Sequence, residues 1–367
     1  LIVDGRPLVG NRTGIGTHAA EIIARLDLDP PPIIASQAVI HDRTGIENAS
    51  FVVDRFPFGV AWQQMRLGAI AVREEADVLW GPHGTLPWTL RKPSVITIHD
   101  LTSITIPGHH RLKTVFSFNT FITRSLEQAT RIAAVSRTTA GELARGFGIP
   151  HGRIEIVPNG VSDYFSAAEL EEDRALLPSG LSSQSYILYV GTLEPRKGVD
   201  DLLQAWESLP LTEKPRLVLA GDPGWKNSAT RSRAEAWVER RELMMTGFVD
   251  RPTLRALYRH AAVFIYPSHY EGFGLPPLEA MACGAPVVAS RGGAIPEVVG
   301  DAALTVSPGD VSGLRAAILN ILQDAGLRES LIERGRARAA QFSWTSSAAL
   351  MKELILDAAR LGGIRKD

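Results

Sequence analysis

Short apolar runs alternate along this chain with longer stretches in which apolar positions recur every three or four residues. That alternation predicts parallel β-strands joined by covering helices, an α/β fold. The strand candidates of the first half are LIVD, PIIAS, ADVLW, SVITIHD, RIAAVS and IEIVPNG; those of the second are YILYVG, RLVLAG, MMTGFV, AVFIYPS, PVVAS and ALTV. Between the halves, residues 166–185 are acidic, Ser-rich and broken by Pro-Ser-Gly, which is linker chemistry. The expected organisation is two Rossmann-like domains facing across a cleft, residues 1–168 and 169–345, with sites at the carboxyl ends of the strands. A last helix over 346–367 adds no strand and is expected to pack back across the linker toward the first domain.

Composition narrows the function. The 367 residues suit two domains, and a formal net charge of -1 argues against bulk nucleic-acid binding. The single Cys283 rules out an intrachain disulfide and reads as a small apolar filler, so the chain is read as cytoplasmic. No apolar run is long enough to span a membrane, and no charged region precedes an apolar one as in a signal peptide. Leu1 already lies inside an apolar run, which implies native residues ahead of it. Residues 103–153 carry seven basic side chains against two acids, with Phe116, Phe118 and Phe121 close together. This region is either a helix with a solvated basic face and a buried aromatic one, or a docking surface for an acidic or lipid-linked partner.

Several motifs have a bland and a chemical meaning. Gly14-x-Gly16-x-x-Ala19 matches the dinucleotide fingerprint, yet nine residues separate Asp4 from Gly14 and the next strand ends without an acid. NAD binding is therefore not expected, and the loop is a tight turn or a phosphate cradle at a helix N-terminus. The nine histidines show no ligand spacing, so no protein-held metal is expected. His99 ends a strand at the face where α/β sites form. Thr139 and Glu142 are expected to form a capping box for the following helix. Ser136 lacks nucleophile-elbow glycines, which speaks against a serine hydrolase. In YVGTLEPRKG, Arg196 and Lys197 follow a strand end and suit a diphosphate, Arg through paired contacts and Lys as a point charge.

The stretch EGFGLPPLE carries the most chemistry. Glu271 falls in the loop after the strand AVFIYPS, and Pro276 and Pro277 suit a first helical turn, where an N–H would lack a partner anyway. The N–H groups of Gly272, Phe273, Gly274 and Leu275 are then available to an anion, and Glu279 falls in the first turn. Acid, anion nest and acid match the sugar, diphosphate and ribose of a nucleotide-sugar. A glycoside hydrolase would also use two carboxylates but would not need Arg196, Lys197 and the glycine loop; a phosphorylase or a sugar-nucleotide-binding scaffold without turnover is a third reading, and the intact set of charged residues weighs against the scaffold.

With these motifs in this order, together with RTGIGTHA, ITIHDL, AVSRTT, VPNGV, LAGD, TGFV and GDAAL, the chain resembles the retaining glycosyltransferases of the GT-B fold, family 4. The resemblance covers nearly the whole chain. It implies that Glu271 holds the donor sugar's hydroxyls, Glu279 the ribose, and Arg196 and Lys197 the leaving diphosphate, assisted by Gly14 or Gly16. It places His99 beside the sugar ring and implies a metal-independent enzyme with no cofactor other than its nucleotide-sugar substrate. The start DGRPLVGNRTGIGTHAAEI resembles the GDP-mannose-dependent mannosyltransferases of bacterial polysaccharide assembly, with UDP-sugars as the alternative donors. A saccharide or polyprenyl-diphosphate-linked acceptor follows from that likeness, with peripheral contact through residues 103–153 at the inner face of the membrane.

Overall fold

A computed structural model describes all residues except 106–111, 166–171, 211, 213, 225–227 and 365–367, and gives the backbone alone for 103, 105, 112–119, 172, 228, 229 and 364. The chain divides into two units, Leu1–Gly160 with Ser343–Asp367, and Val161–Phe342. Arg111 and the side chains of Lys113, Phe116 and Phe118, which the basic-region reading used, lie outside the described residues. So does the start of the expected linker.

Among the described residues, the first unit holds seven parallel strands: β1 (Ile2–Asp4), β2 (Ile33–Ser36), β3 (Ser50–Val53), β4 (Leu79–Gly81), β5 (Ser94–Ile98), β6 (Arg131–Ala134) and β7 (Ile154–Ile156). Their order is β3-β2-β1-β4-β5-β6-β7, so chain direction across the sheet reverses between β1 and β4. Strands such as Val263–Tyr266 of the second unit, VFIY, are buried throughout, which is why they read as unbroken apolar runs. β3 was not among the strand candidates. It is an edge strand of four residues, exposed at both ends and only partly buried between, and its apolar stretch is just Phe51–Val53. The helix Arg137–Phe147 is capped by Ser136, whose hydroxyl accepts from Thr139 N at 3.0 Å. The expected Thr139–Glu142 box is thus displaced, because the chain turns helical three residues earlier. The helix Trp344–Ile364 packs on this unit, touching β5, β6 and the helix Gly14–Ile23. Ser347 donates to Pro158 O at 2.6 Å and Arg131 pairs with Asp357.

The second unit repeats the plan with six parallel strands: β8 (Tyr186–Val190), β9 (Arg216–Ala220), β10 (Leu243–Gly247), β11 (Val263–Tyr266), β12 (Val287–Ser290) and β13 (Leu304–Val306). Their order is β10-β9-β8-β11-β12-β13, and the reversal lies between β8 and β11. Ligands bind at such reversals, beyond the strands' carboxyl ends. Asp250, Asp310 and Asp324 cap three of its helices by accepting from Thr253, Gly313 and Leu327 N–H groups.

The division falls between Gly160 and Val161, ahead of the 168/169 boundary expected from linker composition, and again after Phe342 rather than 345. The physical reason is that the crossover segment is anchored in the second unit. Phe165 is buried against Tyr258 with ring centroids 6.0 Å apart. Asp173, wholly buried, accepts from Arg255 Nη2 at 2.7 Å and pairs with Arg259. Removing one partner of a buried ion pair strands the other charge. Asp173→Ala should therefore destabilise the second unit by about 3–5 kcal/mol, read as a lowered urea midpoint. An unchanged midpoint would mean that the segment is not anchored by charge.

Candidate active site

The second unit gathers most of the expected site at its sheet reversal. After β8, Pro195–Lys197 form a single tight helical turn that presents Arg196 and Lys197. After β11, the chain enters the loop holding Ser268 and Glu271, then the helix Leu275–Ala282. Gly274 caps that helix, and no side chain does. Pro276 and Pro277 occupy its first turn and bring no N–H, so Gly274 and Leu275 supply its forward donors. Phe273 turns its ring inward, 6% exposed and edge-on to Phe342 at 5.8 Å, so only its backbone is left for a ligand.

Glu271 is the centre of this arrangement. Its Oε1 accepts from Lys197 Nζ at 2.6 Å and from Ser268 Oγ at 2.5 Å, while Oε2 lies 3.1 Å from Arg196 Nη1. Burial pushes the pKa of this carboxyl up. The Arg196 and Lys197 charges, with the hydrogen bonds from Lys197 and Ser268, outweigh it and hold the group at about 2. The expected separation of tasks, acid toward sugar and cations toward diphosphate, therefore begins from direct contact between them. Arg196 is further fixed by donating to Tyr270 O at 2.6 Å and to Glu194 at 3.0 Å. Lys197 also reaches the Tyr266 hydroxyl at 3.3 Å. The Glu271 backbone is pinned from β12, since Ala294 N donates to Glu271 O at 2.8 Å. Gly293, at φ +63°, lies so close that a Cβ there would run into that same carbonyl oxygen.

Glu279 lies on the helix and accepts from the Tyr258 hydroxyl at 3.0 Å. Tyr258 and Ser268 were missed in the sequence, and for one reason. A buried hydroxyl, whether on a neighbouring helix like that of Tyr258 or in the same loop like that of Ser268, leaves no mark in hydrophobic spacing.

In the first unit, Gly14 and Gly16 open the helix that follows β1, which Thr13 starts without a side-chain cap. Gly16 rests against Pro7 O, so closely that no Cβ would fit. His99, just past β5, bonds Pro82 O through Nε2 at 2.9 Å; a carbonyl only accepts, so Nε2 carries the proton. His18, wholly buried, stands edge-on to His99 at 4.9 Å and shares a 2.7 Å bond with Asn159 Oδ1 through Nδ1. Burial, then His99, press the pKa of His18 down to about 3. Burial brings His99 to about 4 against its bond to Pro82. Both rings are therefore neutral, hydrogen-bonding groups at neutral pH. His18 and Asn159 were also missed, although His18 stands two residues after Gly16 and Asn159 lies in VPNG. Among the described residues, no three His, Cys, Asp or Glu side chains gather into a metal-binding group, and no helix is long and apolar enough to cross a membrane.

Residues 14–163 match the family described as Glycosyltransferase Family 4, and residues 178–338 that described as Glycosyl transferases group 1. Over 366 residues the chain is 35% identical to O-antigen chain mannosyltransferase B of Escherichia coli, covering 94% of this chain and 96% of that one. The chain belongs to the family 4 glycosyltransferases. This glycosyltransferase is also 31% identical over 281 residues to the serotype-specific mannosyltransferase WbdA of Escherichia coli, of whose length that match covers 34%. The structure of Anabaena Alr3699/HepE, solved with UDP and glucose, superposes with a TM-score of 0.78 at 19% identity, covering 97% of this chain and 98% of that one. The fold is thus GT-B, as the sequence resemblance implied.

The two depressed histidines set a pH dependence. The unfolded chain takes up their protons below about pH 6.5, while the fold keeps both rings neutral. Stability is therefore highest above that pH and falls as it drops toward 4, by about 1.4 kcal/mol per pH unit for each histidine. Urea midpoints between pH 7 and 4.5 should show this decline, and His99→Asn should make it shallower. The same slope in the variant would show that His99 is not held neutral.

Proposed function

We propose that this glycosyltransferase transfers a hexose with retention of configuration, mannose from GDP-mannose, to a saccharide or polyprenyl-diphosphate-linked acceptor in bacterial polysaccharide assembly. The observation that carries the reading is the buried cluster of Glu271, Arg196 and Lys197 at the sheet reversal, beside a helix N-terminus. The mannosyltransferase names of the relatives support the sugar and the pathway class.

In this reading Arg196 and Lys197 turn to the diphosphate, where charge grows as the bond from C1 to the phosphate oxygen breaks. Backbone N–H groups between Gly272 and Leu275 add to that stabilisation. Glu271 accepts from sugar hydroxyls and faces the positive charge that develops on the ring; Glu279 accepts from the ribose. The acceptor hydroxyl attacks C1 from the side the phosphate leaves, and its proton passes to the departing phosphate oxygen. With two cations supplied by side chains, no metal is required for the leaving group. On the first unit, the family resemblance gives His99 the sugar ring and Gly14 or Gly16 the diphosphate. The peripheral membrane contact through residues 103–153 belongs to the same proposal.

Arg196→Ala or Lys197→Ala should lower kcat by about a hundredfold or more for the worse of the two, as the loss of one preorganised electrostatic donor does elsewhere. Wild-type rates in both would place the diphosphate away from them. The donor and the stereochemistry are read together. GDP-mannose should raise the melting temperature more than UDP-hexoses do, and NMR of the product should show the α-anomer of the α-linked donor. A β-linked product would remove retention, and stabilisation by UDP-hexoses alone would replace the donor.

A further inference from the structure

Glu279 accepts a hydrogen bond from a tyrosine whose ring is wholly buried. The Tyr258 hydroxyl donates to Glu279 Oε2 at 3.0 Å, from the helix Arg251–His260 to the helix Leu275–Ala282. The ring of Tyr258 is wholly buried, edge-on to Phe264 at 5.4 Å on one contact and to Phe165 at 6.0 Å on another. A glutamate's last torsion is broad and roughly two-fold, so a fixed donor to one oxygen selects the plane of the carboxylate. Burial, with the charge of Glu279, raises the tyrosine pKa well above its ordinary value, and the phenol remains a donor at every working pH. Tyr186 shows the plainer way to satisfy a buried phenol, by donating to the backbone oxygen of Leu257 at 2.7 Å.

The support continues to the residues just ahead of the segment that the sequence presents as a linker, and to Asp173 within it. Phe165, 3% exposed, bears on the Tyr258 ring. Tyr164 beside it lies under Arg255 at 4.5 Å and Arg251 at 5.0 Å, and Asp173 ties Arg255 and Arg259 down at the other end of the segment. The helix that carries Tyr258 is therefore gripped by residues on both sides of 166–171.

We propose that Tyr258 is a positioning residue for the nucleotide, orienting the Glu279 carboxylate toward the ribose, and that Phe165 of the crossover segment holds Tyr258 in place. This inference rests on the assignment of Glu279 to the ribose made above. It gives the crossover segment a part in nucleotide affinity.

The test is a double-mutant cycle in the full chain. Tyr258→Phe keeps the ring and its packing and removes one donor; Glu279→Gln removes the charge that the donor meets. Calorimetry measures the binding of GDP, with UDP in a second arm, to the wild type, both single variants and the double variant. Initial rates give kcat and the donor KM. Tyr258→Phe should weaken binding about three- to tenfold, the scale of one net hydrogen bond, and raise the donor KM to match. It should leave kcat within about twofold. In the Glu279→Gln background the same change should cost less than about twofold, because the amide that remains accepts more weakly and lacks the charge that Tyr258 orients toward the ribose. Phe165→Leu, which leaves the hydroxyl but loosens the ring, should lose part of the affinity in the wild type and none in that background. Equal losses in both backgrounds would show a merely structural tyrosine and overturn the proposal. So would a Tyr258→Phe variant that binds like the wild type while Glu279→Gln binds poorly. If Glu279→Gln itself binds as the wild type does, the ribose assignment falls first and the role of Tyr258 falls with it.

Discussion

A carboxylate buried beside two cations is the interaction on which the second unit's site depends. Ions withdrawn from water are stable only when their partners are fixed at short range. Lys197 and Glu271 are 74 residues apart in the chain, yet their polar atoms meet at 2.6 Å. Parallel pairing of β8 with β11 makes this possible, since it brings two loop exits side by side at the sheet reversal. β12 then completes the support. Its outgoing loop pins the Glu271 backbone, and Ser290 donates to the Ser268 carbonyl. Each element of that half sheet thus has a definite part in keeping one acid ionised.

The same balance explains a reserve of charge. Glu194 and Glu271 together offset Arg196 and Lys197, so the cluster is neutral as it stands. In the proposed function an arriving diphosphate meets these same two cations, of which Arg196 is also held by the Tyr270 carbonyl.

Twelve of the thirteen strands, the sheet class and the family were legible in the sequence, because buried parallel strands are written as apolar runs and the loops after them as fixed strings of Gly, Pro and charge. β3 was not legible, since it is a short edge strand, exposed at both ends, with only three apolar residues. The candidate residues themselves stood out; their partners did not. Tyr258, His18 and Asn159 act through pairings between separate elements, and Ser268 through a turn of its own loop, none of which periodicity records. The domain boundary was misplaced for a related reason. Composition marked 166–185 as a linker, while Phe165 and Asp173 on either side of its start are among the most buried residues of the second unit.

The helix Trp344–Ile364 carries Trp344, Met351, Leu354 and Ile355 into the first unit's interior, although the whole second unit precedes it in the chain. During synthesis the two halves are therefore not finished in the order in which they begin. β5, β6 and the helix Gly14–Ile23 wait with a side uncovered while the entire second unit emerges and folds. A chain that stopped before this helix would leave the second unit complete and the first without one of its covering elements.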